Sequence, residues 1–103
     1  MLYLDSNVFI YATLNLGEIG DKEVTVHIVK FLDDPEEIVR CGAADALGKI
    51  KDNRAIFPLI QVLADDSEIV QRFAVRSLKL ITNQDFGSDY DKWMKWYKEN
   101  KKK

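Results

Sequence analysis

One cysteine and one histidine stand in the 103 residues, and only two prolines and five glycines. The lone Cys41 excludes an intramolecular disulfide framework and fits a reducing compartment, the cytoplasm. Zinc and iron sites draw on several His or Cys ligands, and His27 with Cys41 does not supply such a set. No run approaches the roughly 20 apolar residues that cross a bilayer. No basic leader precedes the apolar opening, which Asp5 interrupts, so no signal peptide and no membrane partner are expected. A basic excess is missing too. The formal charge is −2, which argues against nucleic acid as a primary ligand. The charge is uneven along the chain: residues 1–50 carry nine acids against four bases, and residues 51–103 carry eight against eleven. Part of the second excess is the run Lys101-Lys102-Lys103, which reads as a solvated terminus.

What is present is a helical unit, residues 33–63. Val39, Ala43, Ala46, Leu47 and Ile50 recur at three- and four-residue steps, which places them on one stripe of a helix. Asp33-Asp34-Pro35-Glu36-Glu37 signals its start through a capping aspartate, a first-turn proline and acids at the positive dipole end. Lys49 and Lys51 sit near its end, where cations are favoured. Asp52 offers a second cap, and Ala55, Ile56, Leu59, Ile60, Val62 and Leu63 carry a second stripe. Pro58 removes one N–H and crowds the preceding turn, so this second helix starts late or bends there.

The unit recurs at a shift of 31 residues without a gap: Leu16-Gly17-Glu18-Ile19 falls on Leu47-Gly48-Lys49-Ile50, and Leu47 on Leu78. Ala12, Ala43 and Ala74 share one position, as do Val8 and Val39. A helix pair of this size cannot cover its own apolar face, so successive pairs must stack around a shared core. With 47% hydrophobic residues the chain can fold as one domain.

The order in residues 33–63 is an aspartate-rich turn, Val39-Arg40, small residues, Ala46-Leu47-Gly48-Lys49-Ile50, then Asp52 and the helix Ala55-Ile56-Phe57-Pro58-Leu59-Ile60. It resembles the HEAT-like repeats of the phycobilisome-lyase group. That resemblance covers nearly the whole chain and implies a binding scaffold more than any one activity. Metal-dependent hydroxylases built on HEAT-like repeats use several His-Glu pairs, which one histidine cannot reproduce. The opening MLYLDSNVFIYA has a different likeness, to the first strand and turn of a PIN-type nuclease whose early aspartate, here Asp5, helps hold a divalent metal. Such chemistry needs carboxylates from several distant elements. The likeness ends after residue 12, where the 31-residue register takes over, and Asp5, Ser6 or Asn7 is expected to cap a helix instead.

Other features read as structural. The acids between repeats lack calcium-loop spacing and serve as caps, and Arg40 and Arg72 are expected to pair with them or with backbone of a neighbouring repeat. Asp85-Phe86-Gly87 spells a kinase metal-binding tripeptide, but no glycine-rich loop or catalytic loop accompanies it. Ser88 or Asp89 can cap a last helix with Tyr90, Trp93, Met94 and Tyr97 on one stripe and Trp96 on the flank. An aromatic stripe at this spacing packs against a core.

The fold expected is therefore an all-α, right-handed α-solenoid of about three HEAT-like helical hairpins with a C-terminal aromatic capping helix. It forms one domain over residues 1–103, with repeats near 5–32, 33–63 and 64–97 and the aromatic helix at 89–99. The expected function is non-catalytic protein binding or scaffolding, with a protein partner and with no catalytic residue, cofactor or metal. Glu23, His27, Lys30, Arg54 and Gln61 are the partner-binding candidates, because the second helices of such hairpins line the concave side and these residues are not needed for the core. Between Asp5 and Glu18 no side chain is charged, and Val8, Phe9, Ile10, Tyr11 and Leu14 surround the helix axis. A helix apolar all round needs cover on every side, so these five residues are expected to form a homodimer interface. The alternative is a lyase-like chaperone of a chromoprotein, or another ligand-handling HEAT-like protein.

Overall fold

The computed structural model describes residues 22–101, and every regular element within them is helical. Helix α1 (Lys22–Val29) runs into a 3-10 turn (Lys30–Asp33), and α2 (Glu37–Ile50) follows. A second 3-10 turn (Asn53–Ala55) leads into α3 (Ile56–Val62), then come α4 (Glu68–Thr82) and α5 (Tyr90–Asn100). Helix α2 lies against α4, α1 against α2, and α3 against both α4 and α5. The chain is thus all-α and solenoid-like. One layer holds α2 and α4; the other holds α1, α3 and α5, with α5 closing the end of the stack.

The 31-residue register decides what is buried. Val39, Ala43 and Leu47 of α2 and their equivalents Val70, Ala74 and Leu78 of α4 are all buried. Ile28 and Leu32 match Leu59 and Leu63 in the same way. Fully burying a leucine such as Leu47 or Leu59 contributes roughly 1.5–3 kcal/mol, so a handful of these positions holds the two layers together.

The helix ends differ from expectation in instructive ways. No aspartate caps α2: its N-cap is Glu36, which makes no side-chain cap bond. Asp34 instead accepts from the Glu36 amide at 2.8 Å and shapes the turn before the helix, where Pro35 also lies. Helix α3 does start late, at Ile56, so Pro58 sits in the first turn, where a missing N–H leaves no helical bond unmade. Asp52 accepts from the Arg54 amide at 3.0 Å, Ser67 from Val70 at 3.3 Å and Asp89 from Lys92 at 3.1 Å. Both α2 and α4 end on a left-handed residue, Lys51 (φ 57°) and Asn83 (φ 60°).

Glu37, Ala44 and Gly48 mark the face of α2 that meets the next repeat. Ser67 donates to Glu37, Ser77 donates to the Ala44 carbonyl at 2.5 Å, and Gly48 lies under Ser77. The same positions on α4 are Glu68, Val75 and Lys79, which border an open surface groove with Arg72. A glycine that admits a neighbour has become a lysine.

The aromatic helix is fastened by Trp93, whose side chain is 0% exposed and whose Nε1–H donates to the Gly87 carbonyl at 2.7 Å. Phe86 stands edge-on to it at 4.8 Å, and Gly87 takes a φ of 57° that suits glycine. Asp85 accepts from the Gly87 amide and pairs with Lys79. The kinase-like tripeptide thus has a structural task at each position. Tyr90, placed on the packing stripe by its spacing, is instead exposed, and its hydroxyl accepts from Gln61 at 3.2 Å.

Candidate partner-binding face

Helices α1 and α3 present the exposed side of their layer. Glu23, His27 and Lys30 follow one another at four- and three-residue steps from α1 into its 3-10 turn, and all three are exposed. On the same layer, Val26 is 53% exposed and Phe57 42% exposed. They are equivalent residues, 31 apart on successive helices. A groove of about 450 Å³ runs between α1 and α3, floored by Val29, Leu32, Phe57 and Pro58 and edged by Asp33, Asp65 and Gln61. Gln61 is thereby brought to this groove with Phe57, whereas Arg54 borders a different cleft, near the ends of α4 and α5.

Arg54 is held by its neighbour two residues back. The Asp52 carboxylate accepts from the Arg54 backbone amide and from Nη2, each at 3.0 Å. Burial pushes the Asp52 carboxyl up, but the bonds from Arg54 and support from Thr25 outweigh it and hold Asp52 below the ordinary aspartate value. The buried Thr25 hydroxyl lies outside strict hydrogen-bond geometry to any partner, so its share is an oriented dipole more than a full bond.

The turns joining repeats are clamped by Arg40. Its Nε donates to Asp65 at 2.9 Å and its Nη1 to the carbonyls of Asp34 and Pro35 at 2.9 and 3.2 Å. The hydrogen bond that it donates to Asp65 raises the guanidinium further above its ordinary value, although desolvation opposes it. Gln71 stands at the equivalent position of α4 and makes the equivalent backbone contact, Nε2 to the Asp65 carbonyl at 2.5 Å. Arg72, expected to work like Arg40, is one position out of register and pairs with Glu68 on its own helix at 2.7 Å.

Cys41 is half-buried, and burial followed by the nearby Glu37 carboxylate pushes its thiol up, the opposite of nucleophile activation. Among the described residues, no group of three His, Cys, Asp or Glu is arranged to hold a metal ion. Asp5 and the five dimer candidates Val8, Phe9, Ile10, Tyr11 and Leu14 lie outside the described residues.

The HEAT repeats family matches residues 4–79. This chain belongs to that family. No curated protein matches the chain. HEAT repeats generally act as protein-interaction or scaffolding elements, and the match begins within the PIN-like opening, at residue 4. No described helix of this HEAT protein is long and apolar enough to cross a membrane. Val26 and Phe57 were not among the expected contact residues. The signal for them was available, because one register position on the exposed row carries an apolar residue twice.

Proposed function

We propose that this HEAT protein is a non-catalytic interaction module that holds a protein partner along the α1/α3 row. The observation that carries this reading is the repeated apolar pair Val26 and Phe57, exposed at equivalent positions of α1 and α3, with Phe57 on the floor of an open groove between these helices. Glu23, His27 and Lys30 share α1 and its 3-10 turn with Val26, Gln61 lines the groove with Phe57, and these four would set which partner fits. Arg54 belongs to the reading as a flanking contact. Exposed apolar surface rimmed by polar residues is the usual mark of an interaction site. Within the same reading, the uncharged residues 6–17 support a homodimer through Val8, Phe9, Ile10, Tyr11 and Leu14. A reducing compartment, the cytoplasm, suits the single free thiol of Cys41.

The test is affinity capture from native lysate with the wild type beside the double variant Val26→Asp/Phe57→Asp. A partner retained by the wild type and lost by a variant of unchanged melting temperature supports the proposal. Equal retention by both sinks it. The chromoprotein-chaperone reading rests on the resemblance of residues 33–63 to the phycobilisome-lyase group, and the same capture experiment would register a chromoprotein by its visible absorbance.

A further inference from the structure

The groove between α1 and α3 is apolar on its floor and carries no lysine or arginine among its lining residues. We propose that it selects a basic segment of the partner protein, with one apolar side chain of the segment on Phe57 and its lysine or arginine heads toward Asp33. This rests on the reading of the α1/α3 row as the contact face and names the chemistry that fits there. The floor is already in place, since Leu32 is buried and the ring of Phe57 is backed by Tyr97 of α5, with centroids 5.5 Å apart. A segment that lands on a fixed surface loses less to ordering it.

The polar groups that reach this groove are acceptors. Asp33 lines it, is exposed, and pairs with no cation among the described residues. Asp65 lines it too, but its carboxylate is committed to Arg40 at 2.9 Å and adds nothing to the count. Arg40 carries one charge, so Asp66, next in the same turn, is left largely unanswered: it lies 3.8 Å from the guanidinium and is 99% exposed. Gln61 donates its amide to the Tyr90 hydroxyl at 3.2 Å, which leaves its carbonyl oxygen as an acceptor. Lys30 is the nearest cation in sequence, and it holds the register position of Gln61. Gln61 faces back toward α1, so Lys30 faces back along the stack, away from α3. Helix α3 ends at the groove, and the negative end of a helix has the sign of Asp33. The amides of Leu63, Ala64 and Asp65 answer part of it, and what remains adds to the carboxylates. An acidic segment or a nucleic acid strand would meet like charge at Asp33 and Asp66, whereas ammonium and guanidinium groups bring only donors.

The experiment titrates the full chain, followed by amide chemical shifts, with three capped hexapeptides: Lys-Arg-Leu-Phe-Arg-Lys, Gln-Gln-Leu-Phe-Gln-Gln and Glu-Glu-Leu-Phe-Glu-Glu. The basic peptide should bind saturably below about 1 mM, shift Val29, Asp33, Phe57 and Gln61, and weaken as salt rises from about 0.05 to 0.5 M. Asp33→Lys should weaken it about tenfold at an unchanged melting temperature, because the Asp33 side chain has no ion pair to lose. Phe57→Ala should weaken it as well. Equal binding of the glutamine peptide at the same residues, or equal binding by Asp33→Lys, overturns the charge selection while the α1/α3 row stands as the contact face. Shifts centred elsewhere, or equal binding by Phe57→Ala, take the row down with it. No saturation at millimolar peptide or tighter binding of the acidic peptide also overturns the proposal. So do groove shifts that grow with protein concentration in the absence of peptide, which would make a second copy's lysine-rich end the occupant.

Discussion

Gly48 of α2 and Ser77 of α4 are in van der Waals contact so close that no other residue fits at Gly48. A Cβ built there would run into the Ser77 hydroxyl oxygen and lie 2.9 Å from the Ser77 Cα, a backbone atom that cannot swing aside. Replacing glycine by alanine inside a helix ordinarily gains up to ~1 kcal/mol, whereas forced overpacking costs ~1–3 kcal/mol. The clash with backbone settles the sign. Gly48→Ala should lower stability in urea unfolding, and Ser77→Ala should not restore it, because the Ser77 Cβ and Cα remain in the way. A neutral or stabilising Gly48→Ala would mean that α2 and α4 are not held this close.

Arg40 ties two inter-repeat turns at once, through Asp65 on one side and the Asp34 and Pro35 carbonyls on the other. A lysine keeps the charge but not the planar fork. Thermal unfolding should therefore rank wild type above Arg40→Lys, and Arg40→Lys above Arg40→Gln. The exposed Arg72→Gln should change little, since pairs like Arg72 and Glu68 contribute only about 0–1 kcal/mol. Equal losses at positions 40 and 72 would remove the clamp.

Asp52 sets a pH dependence whose sign follows from its lowered value. A carboxyl held below its unfolded value contributes stability that is complete above the ordinary aspartate range and is lost as pH falls through the folded value. Melting temperature should drop between about pH 5 and pH 2. Asp52→Asn should melt lower than wild type at neutral pH and lose less over that interval. The part it retains is assigned to Asp85, held low by the Gly87 amide and by Lys79. Identical pH profiles for the two proteins would remove Asp52 from this role.

Trp93 anchors α5 to the rest of the molecule by packing and by its bond to the Gly87 carbonyl. Trp93→Ala should cost ~3–5 kcal/mol. Trp93→Phe keeps a ring beside Phe86 and should cost less, while still losing the indole bond. Chemical denaturation of both variants checks the order. A stable Trp93→Ala would mean that α5 is only loosely docked.

How much of this could be read beforehand depends on the range of the interaction. The burial of Val39, Ala43 and Leu47 follows from three- and four-residue spacing, which is local helix geometry. Their copies Val70, Ala74 and Leu78 follow from the 31-residue register, and so does the stacked, all-helical HEAT architecture. Asp89 as a cap and the late start of α3 at Pro58 are likewise properties of a few adjacent residues.

Contacts between turns and helices far apart in sequence were decided by the tertiary structure. Arg40 and Arg72 look alike as sequence, yet one reaches Asp65 in the next repeat and the other has only Glu68 on its own helix, because Gln71 holds the equivalent position. Gly48 and Lys79 share a register position, and only packing shows that the first admits a neighbouring helix while the second faces open surface. Arg54 stood among the concave-row candidates by its place in the repeat. Its anchoring by Asp52 turns it toward the second cleft, since a side chain's direction is set by the partner that it finds in space and not by its position in a period.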